Sequence, residues 1–534
     1  MKSSDFTGTG TLFRLFLRRD RFLLPIWICL PMVLVLFTGG TFSALANEGM
    51  QSALTDFDND PLVSALLGPV MSFDLPGAIT WRGVSQIALT LGLGSLLTMI
   101  RHTRTDEETG RSELIRAYVI GSYANLTAAL ILTGVGNLAS GVLVALTIIG
   151  LGGAIGGSLL FGATMVTVGC FFAGMGALGA QFRESSSSAR NIAVAALGVA
   201  LLLMFLNNFS GGYTLLSWIT PFAWQRITQP FAGNYGWNVL YCAVFAVVPT
   251  VIAYVLSTRR DLGGGVLMAR PGLQAAVPHF SSPLALAWRL QKGNFIGWLA
   301  ATILYITAFA AISPSLSSAG MSDWLSSLGG TNWADELGLG YVFIGVSIYL
   351  MALAVAIYAM SAVLRLKKEE NEGRAELLLD KPVSRIQWMT SHLIVVAFCS
   401  AALLLAMGAV GGLGYGLAVG NVGGEFWTIL VMSISKIPAV WCLLGITASL
   451  YGLLPRLTAL GWIVWIAVVF LEVAWEGQLI DWSIMQFSPF SYVHYTVHVT
   501  AIQMLPLVGL LGLSAILIGL GLFGFRNRDV VTKA

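Results

Sequence analysis

Charge is what this sequence has least of. Asp, Glu, Lys and Arg make up 10% of its 534 residues, against roughly 25% in ordinary soluble domains. A water-soluble fold of this size could not cover its surface with so few charges. Cysteine is also scarce. The five thiols, at 29, 170, 242, 399 and 442, all fall in apolar stretches, with no CxxC spacing and no clustered His. That pattern excludes a disulfide framework or a zinc site and reads as buried free thiols. No GxxxxGK[ST] phosphate loop occurs. The glycine-rich stretches 150–157 and 411–416 are apolar, lack Lys, and read as helix-packing or span-end glycines. No metal, bound cofactor or nucleic-acid partner is expected.

Apolar sequence is abundant, with 56% of residues hydrophobic. A helix needs about 20 apolar residues to cross the hydrocarbon core. Such runs lie near 22–45, 84–100, 122–148, 157–181, 190–207 and 237–256, and again near 294–312, 341–364, 387–419, 424–452, 459–478 and 504–525. The first run is too long for the apolar core of a secretory signal and reads as a retained span. The expected fold is therefore an all-α integral membrane protein of about 12 transmembrane helices.

Lys and Arg collect on the cytoplasmic side of a membrane protein. With the N-terminus inside, 26 of the 29 fall on inner segments, the exceptions being Arg82, Arg226 and Lys436. This bias predicts cytoplasmic N- and C-termini. The outer loops 46–80 and 313–340 are acidic. The N-terminal segment places Arg14, Arg18 and Arg21 on one helical face and Phe13, Phe16 and Leu17 on the other, as in a basic interfacial helix.

The chain reads as a duplication. RTDEETGRSELIR at 104–116 and KKEENEGRAELLL at 367–379 are identical at five of thirteen positions. Each follows the second span of its half. Arg183 and Arg456, Thr220-Pro221-Phe222 and Ser488-Pro489-Phe490, and Arg260-Asp261 and Arg528-Asp529 recur in the same order. Each half starts inside and has six spans, so the two are parallel six-helix repeats: 1–262 the first six-span repeat, 263–283 a cytoplasmic linker, and 284–534 the second. The linker carries the run Gly263-Gly264-Gly265 and the prolines Pro271, Pro278 and Pro283, and ends in a helix-like piece, Leu284 to Lys292, that parallels the N-terminal one.

The repeated acidic loop is the feature best suited to carry function. Glu107 and Arg111, like Glu370 and Arg374, stand at i, i+4 and can support a short helix. Gly110 and Gly373 mark a turn or a close approach, because Gly inside a helix costs about 1 kcal/mol. The segment from Lys368 to Arg385 resembles the cytoplasmic coupling segment of the ABC-2 class of ATP-binding-cassette permeases, through Glu370, Gly373, Glu376-Leu377-Leu378 and Pro382-Val383-Ser384-Arg385. The first copy matches through Leu114 but has Ala117-Tyr118-Val119-Ile120 where that tail would stand. In overall layout the chain is similar to the exporters of polyketide antibiotics, which include tetronasin-resistance-like permeases.

The resemblance implies an exporter subunit of the bacterial plasma membrane without an enzymatic site of its own. ATP and Mg would be bound by two copies of a separate nucleotide-binding ATPase subunit. Glu107, Gly110, Arg111 and Glu113 would contact one copy, Glu370, Gly373, Arg374 and Glu376 the other, with Arg183 and Arg456 forming a secondary contact. The substrate would be a hydrophobic or amphipathic small molecule, moved by alternating access. Charges at membrane depth are functional candidates, which singles out Lys436, Glu472 and Glu476, with Asn137 and His392 behind them. By analogy with the class, spans five and eleven would line the path, with Phe205, Trp462, Trp465, Phe470 and Trp475. A major-facilitator-type secondary transporter is the alternative, but its Asp-x-x-Gly-Arg loop is not matched, since Asp106 and Gly110 are one residue too far apart. A membrane enzyme would need a catalytic set at one depth, and none is found.

Overall fold

The computed structural model describes residues 3–43, 47–59, 64, 67–116, 120–260, 263–267, 282–313, 339–476, 480–493 and 504–529. Its regular elements are all helical among those residues. The chain divides into two compact units, Met1–Gly272 and Leu273–Ala534. Among the described residues eleven helices are long and apolar enough to cross a membrane, and the chain is an all-α, multi-pass integral membrane protein.

In the first unit the spans are the helices Leu23–Ser43, Leu75–His102, Ala124–Gly150, Ile155–Phe182, Ser186–Phe209 and Trp237–Ser257. Ordinary helix chemistry sets their ends. Asp74 accepts the amide of Gly77 at 2.9 Å, with Pro76 in the first turn, and so opens the second span. Ser185 caps the fifth in the same way. Small residues let the spans approach closely: a Cβ added to Gly141 would meet the carbonyl oxygen of Gly162 at 2.8 Å, between spans three and four.

In the second unit the helices are Pro283–Ile312, Leu339–Asn371, Arg385–Val419, the pair Val422–Ile434 and Ile437–Leu453, Leu460–Glu476, and Met504–Asn527. The expected tenth span is thus interrupted, and Ser435 and Lys436 form the turn between its two pieces. Pro438 opens the second piece, where its missing N–H costs nothing. The expected eleventh span is the short one, at 17 residues. Gly452 and Gly521 bring the tenth and twelfth spans into backbone contact; a Cβ on either would strike the other helix's main chain.

Two expectations change in detail. The piece 284–292 is continuous with the seventh span, because Ser282 caps and Pro283 starts one 30-residue helix with no break at Gly293. The N-terminal helix Thr9–Arg19 is separate, as expected, but it buries Leu12 and Phe16 while Leu17 is 43% exposed. Phe13 packs beside the buried pair, and Arg14 and Arg18 face outward. The acidic stretch 314–338, residues 268–281 of the linker and Asp261 lie outside the described residues.

Candidate functional site

The two acidic loops adopt the same construction inside their respective units. Each runs from the end of a second span through a short turn into a short helix, Arg111–Arg116 in one and Arg374–Leu379 in the other. At the turn Gly110 has φ +71° and Gly373 φ +72°, a left-handed conformation that a side chain disfavours. Each glycine amide donates to the carbonyl of the glutamate three residues before it, Glu107 at 3.1 Å and Glu370 at 3.0 Å.

The acidic side chains of each loop divide into buried and exposed groups. Glu107 and Glu370 point inward, their side chains 8% and 5% exposed. A guanidinium fork from beyond the end of the sixth span grips each of them. Arg260 donates through Nη2 to Oε1 of Glu107 at 2.6 Å and through Nη1 to Oε2 at 2.7 Å. Arg528 donates to Oε1 and Oε2 of Glu370 at 2.7 Å each. Tyr451 adds a hydroxyl donated to Glu370 Oε2 at 2.8 Å, and the Arg528 guanidinium lies 5.0 Å from the ring centroids of Tyr451 and Phe525. Burial works against the Arg528 cation, but the hydrogen bond and charge of Glu370 outweigh it and raise its pKa.

Two further contacts recur. Asp106 faces Arg111 at 3.6 Å, and Glu369 faces Arg374 at 2.6 Å; the bond to Glu369 raises the Arg374 pKa. The cation that begins each motif reaches the loop between spans four and five: Arg104 Nε donates to the Glu184 carbonyl at 2.8 Å, and Lys367 Nζ to the Pro455 carbonyl at 2.6 Å and to Thr458 Oγ1 at 2.7 Å. Arg183 and Arg456 stand beside these acceptors, Arg183 half-buried and Arg456 exposed. The outward face of each loop carries Arg111 (59% exposed) with Glu113, and Arg374 (47% exposed) with Glu372 and Glu376.

The units differ in what else holds the loop. In the first, Arg19 of the N-terminal helix donates to both oxygens of Asp106 at 2.8 Å. The neighbouring Asp20 meets His102 Nε2 at 2.6 Å and Arg101 at 3.2 Å. Burial works against the Asp20 carboxylate, yet these partners hold its pKa below the ordinary value. In the second, Arg365 of the loop's own span faces Glu369 at 3.4 Å. Beneath the first loop lies a cavity of about 440 Å³, lined by Glu107, Ser112, Asn125, Gln181 and Arg260 among others.

The candidates at membrane depth fall into several places. Lys436 is fully buried at the break of the tenth span, with Nζ 6.0 Å from the centroid of Tyr349. Tyr349 meets Phe490 edge-on at 5.7 Å, and Ser488, two residues before Phe490, donates its hydroxyl to buried Glu472 at 2.9 Å. One chain of contacts therefore links Lys436 with Glu472 through the repeated Ser-Pro-Phe segment. Trp465 donates to the Leu353 carbonyl at 3.1 Å, Trp462 packs on the core, and Trp475 meets Trp482. Phe205 packs on the first unit's core, whereas Phe470 is 67% exposed. Asn137 accepts from Ser95 at 3.0 Å, and His392 packs on Trp388. The side chain of Glu476 lies outside the described residues.

Sequence reasoning noted that Arg260 and Arg528 recur but assigned them no role; the signal for one was a similar spacing from the repeated glutamates, 153 and 158 residues. The family model described as the multidrug efflux system permease Rv1217c, C-terminal domain, matches residues 280–526. Over nearly its whole length the chain is 34% identical to the multidrug efflux system permease protein Rv1217c of Mycobacterium tuberculosis (strain ATCC 25618 / H37Rv), across 532 residues that cover 99% of this chain and 96% of that protein. The chain therefore belongs to the family of Rv1217c-type multidrug efflux system permeases.

Proposed function

We propose that this chain is the membrane half of an ATP-driven exporter in a bacterial plasma membrane. Its two acidic loops would dock on two copies of a nucleotide-binding subunit, and its substrates would be hydrophobic or amphipathic drug-like compounds. The observation that carries the reading is the duplicated loop: two short helices after matching left-handed glycines, each presenting an Arg and a Glu outward. An internal packing element has no need of an exposed charged face built twice. Arg111 with Glu113 and Arg374 with Glu376 would make the docking contact, with Arg183 and Arg456 beside it. Glu107 and Glu370 would hold each loop to its own unit.

Closure of the ATPase pair on ATP and Mg would then bring the loops together and switch the spans between inward and outward access. The second unit's Lys436–Tyr349–Phe490–Ser488–Glu472 chain is the polar element at membrane depth on which a substrate would act. The drug-efflux activity named for the M. tuberculosis relative supports the substrate class. Affinity purification of the tagged chain from native membranes, followed by an ATP hydrolysis assay, tests the reading. A co-purifying ATPase stimulated by drug is expected. Proteoliposomes holding this chain alone that export drug without one would overturn it.

A further inference from the structure

We propose that Arg260 and Arg528 are positioning residues that carry movement of each acidic loop into the sixth span of its unit. The proposal rests on the ATP-coupling reading above and adds the element that the motor moves. Each arginine lies far along the chain from its glutamate, by 153 and 158 residues. Arg528 directly follows the helix Met504–Asn527, and Arg260 stands three residues beyond Trp237–Ser257. A cation there is favoured by the helix's negative end.

The geometry is that of a tie. A guanidinium fork on both carboxylate oxygens fixes orientation as well as distance, which a single ammonium cannot do. Each loop is covalently continuous with its second span, bonded through Arg104 or Lys367 to the junction of spans four and five, and ion-paired to the end of the sixth. Three points of attachment make the loop a plate on which span ends converge. In the first unit, packing does not lock that plate from beneath. The cavity lies there, and Ser112 Oγ and Asn125 Oδ1, both on its wall, are buried without a hydrogen-bond partner. What holds the loop on that side is charge, and a charge pair can travel as a unit.

The pattern occurs twice with different surroundings. Glu107 is backed by Arg104, Glu370 by Tyr451. The fork from the sixth-span end is common to both, which points to it as the working part and to the backing groups as local support.

The test is hydrogen–deuterium exchange of the full-length chain purified with its ATPase, with and without ATP and vanadate, read over peptides covering 237–257 and 504–527. The wild type should show an ATP-dependent change in both. Arg260→Gln should abolish it at 237–257 and spare 504–527; Arg528→Gln should do the reverse. The exchange Glu370→Arg with Arg528→Glu should restore most of the lost response, a recovery that bulk destabilisation would not give. Should Arg528→Gln fail to insert, Arg528→Lys serves, and loss of about half the response is expected. A response in either arginine variant equal to the wild type's, with the ATPase bound, overturns the tie. A wild-type chain that binds no ATPase overturns the coupling reading beneath it instead.

Discussion

Two glycines in the last span, one residue apart from being neighbours, should respond to alanine with opposite signs. Gly519 and Gly521 both lie in the helix Met504–Asn527. A Cβ at Gly519 meets nothing within 4 Å, whereas one at Gly521 would lie 2.5 Å from the carbonyl oxygen of Ala448 and 3.0 Å from the Ser449 amide nitrogen. Those neighbours are main chain and cannot rotate aside, so the two helices must separate. Overfilling a packed contact costs about 1–3 kcal/mol, partly offset by up to about 1 kcal/mol of helix propensity gained on replacing Gly. Gly521→Ala should therefore lose about 1–2 kcal/mol, and Gly519→Ala should gain up to about 1 kcal/mol. In a unit of this size about 1 kcal/mol shifts the melting midpoint by roughly 2–4 °C, so a separation of about 1–3 kcal/mol should appear as a difference of about 2–12 °C. Where unfolding is irreversible, the half-life at a fixed temperature replaces the midpoint. Thermal scans of the detergent-solubilised variants read the difference. Gly521→Ala as stable as Gly519→Ala would refute the backbone contact between the tenth and twelfth spans.

The proposed docking face yields a second test: Glu113→Lys together with Glu376→Lys should weaken co-purification of the ATPase at least about tenfold while leaving the chain's melting point within about 2 °C, since both side chains are exposed. Gly110→Val or Gly373→Val should destabilise its loop by about 1–2 kcal/mol, because each backbone is left-handed; limited proteolysis at 104–116 or 367–379 would reveal it, and unchanged cleavage would count against the turn. Asp20 has a folded-state pKa below its ordinary 3.8. Its contribution is thus fully present above that pH and lost as the pH falls through the folded value. Asp20→Asn should melt earlier than the wild type at pH 7, and the gap should close in strong acid; a gap that widens there would reverse the assignment.

Much of the architecture was legible in hydropathy and charge. Twelve apolar runs became eleven long helices and one short one, because burial in hydrocarbon leaves a chain little choice but helix. The interruption at Lys436 was less legible. A lysine within an apolar run gives no sign of whether it bends the backbone, and the role of Pro438 in opening the second piece showed only in the fold. The loops were found through their repeat, yet their acidic residues looked alike in sequence. Asp106, Glu107, Glu369 and Glu370 sit beside Glu113 and Glu376 in one polar stretch, and only the fold turns the first four inward and the last two out. For Asp106, Glu107 and Glu370 the reason is that their partners, Arg19, Arg260 and Arg528, arrive from elements remote in sequence, whereas Glu369 is held by its near neighbours Arg365 and Arg374. The fusion of 284–292 with the seventh span also depended on context: nothing in that segment stops a helix as the Asp20–Phe22 turn does in the first unit.

The mooring of Asp106 to Arg19 has an asymmetric outcome. Arg19 belongs to the helix whose outward Arg14 and Arg18 would rest on the headgroups of the inner leaflet in the proposed orientation. Glu369 is instead secured by an arginine of its own span. Anionic lipid attracts each such surface arginine by about 1 kcal/mol; in that orientation the pull would reach Asp106 through the helix's own Arg19, and Glu369 only through Arg365 and its bond to the Leu290 carbonyl. Under the proposed function, leaflet composition would then load one half more directly than the other, so that two arms of nearly identical build would work against unequal drag.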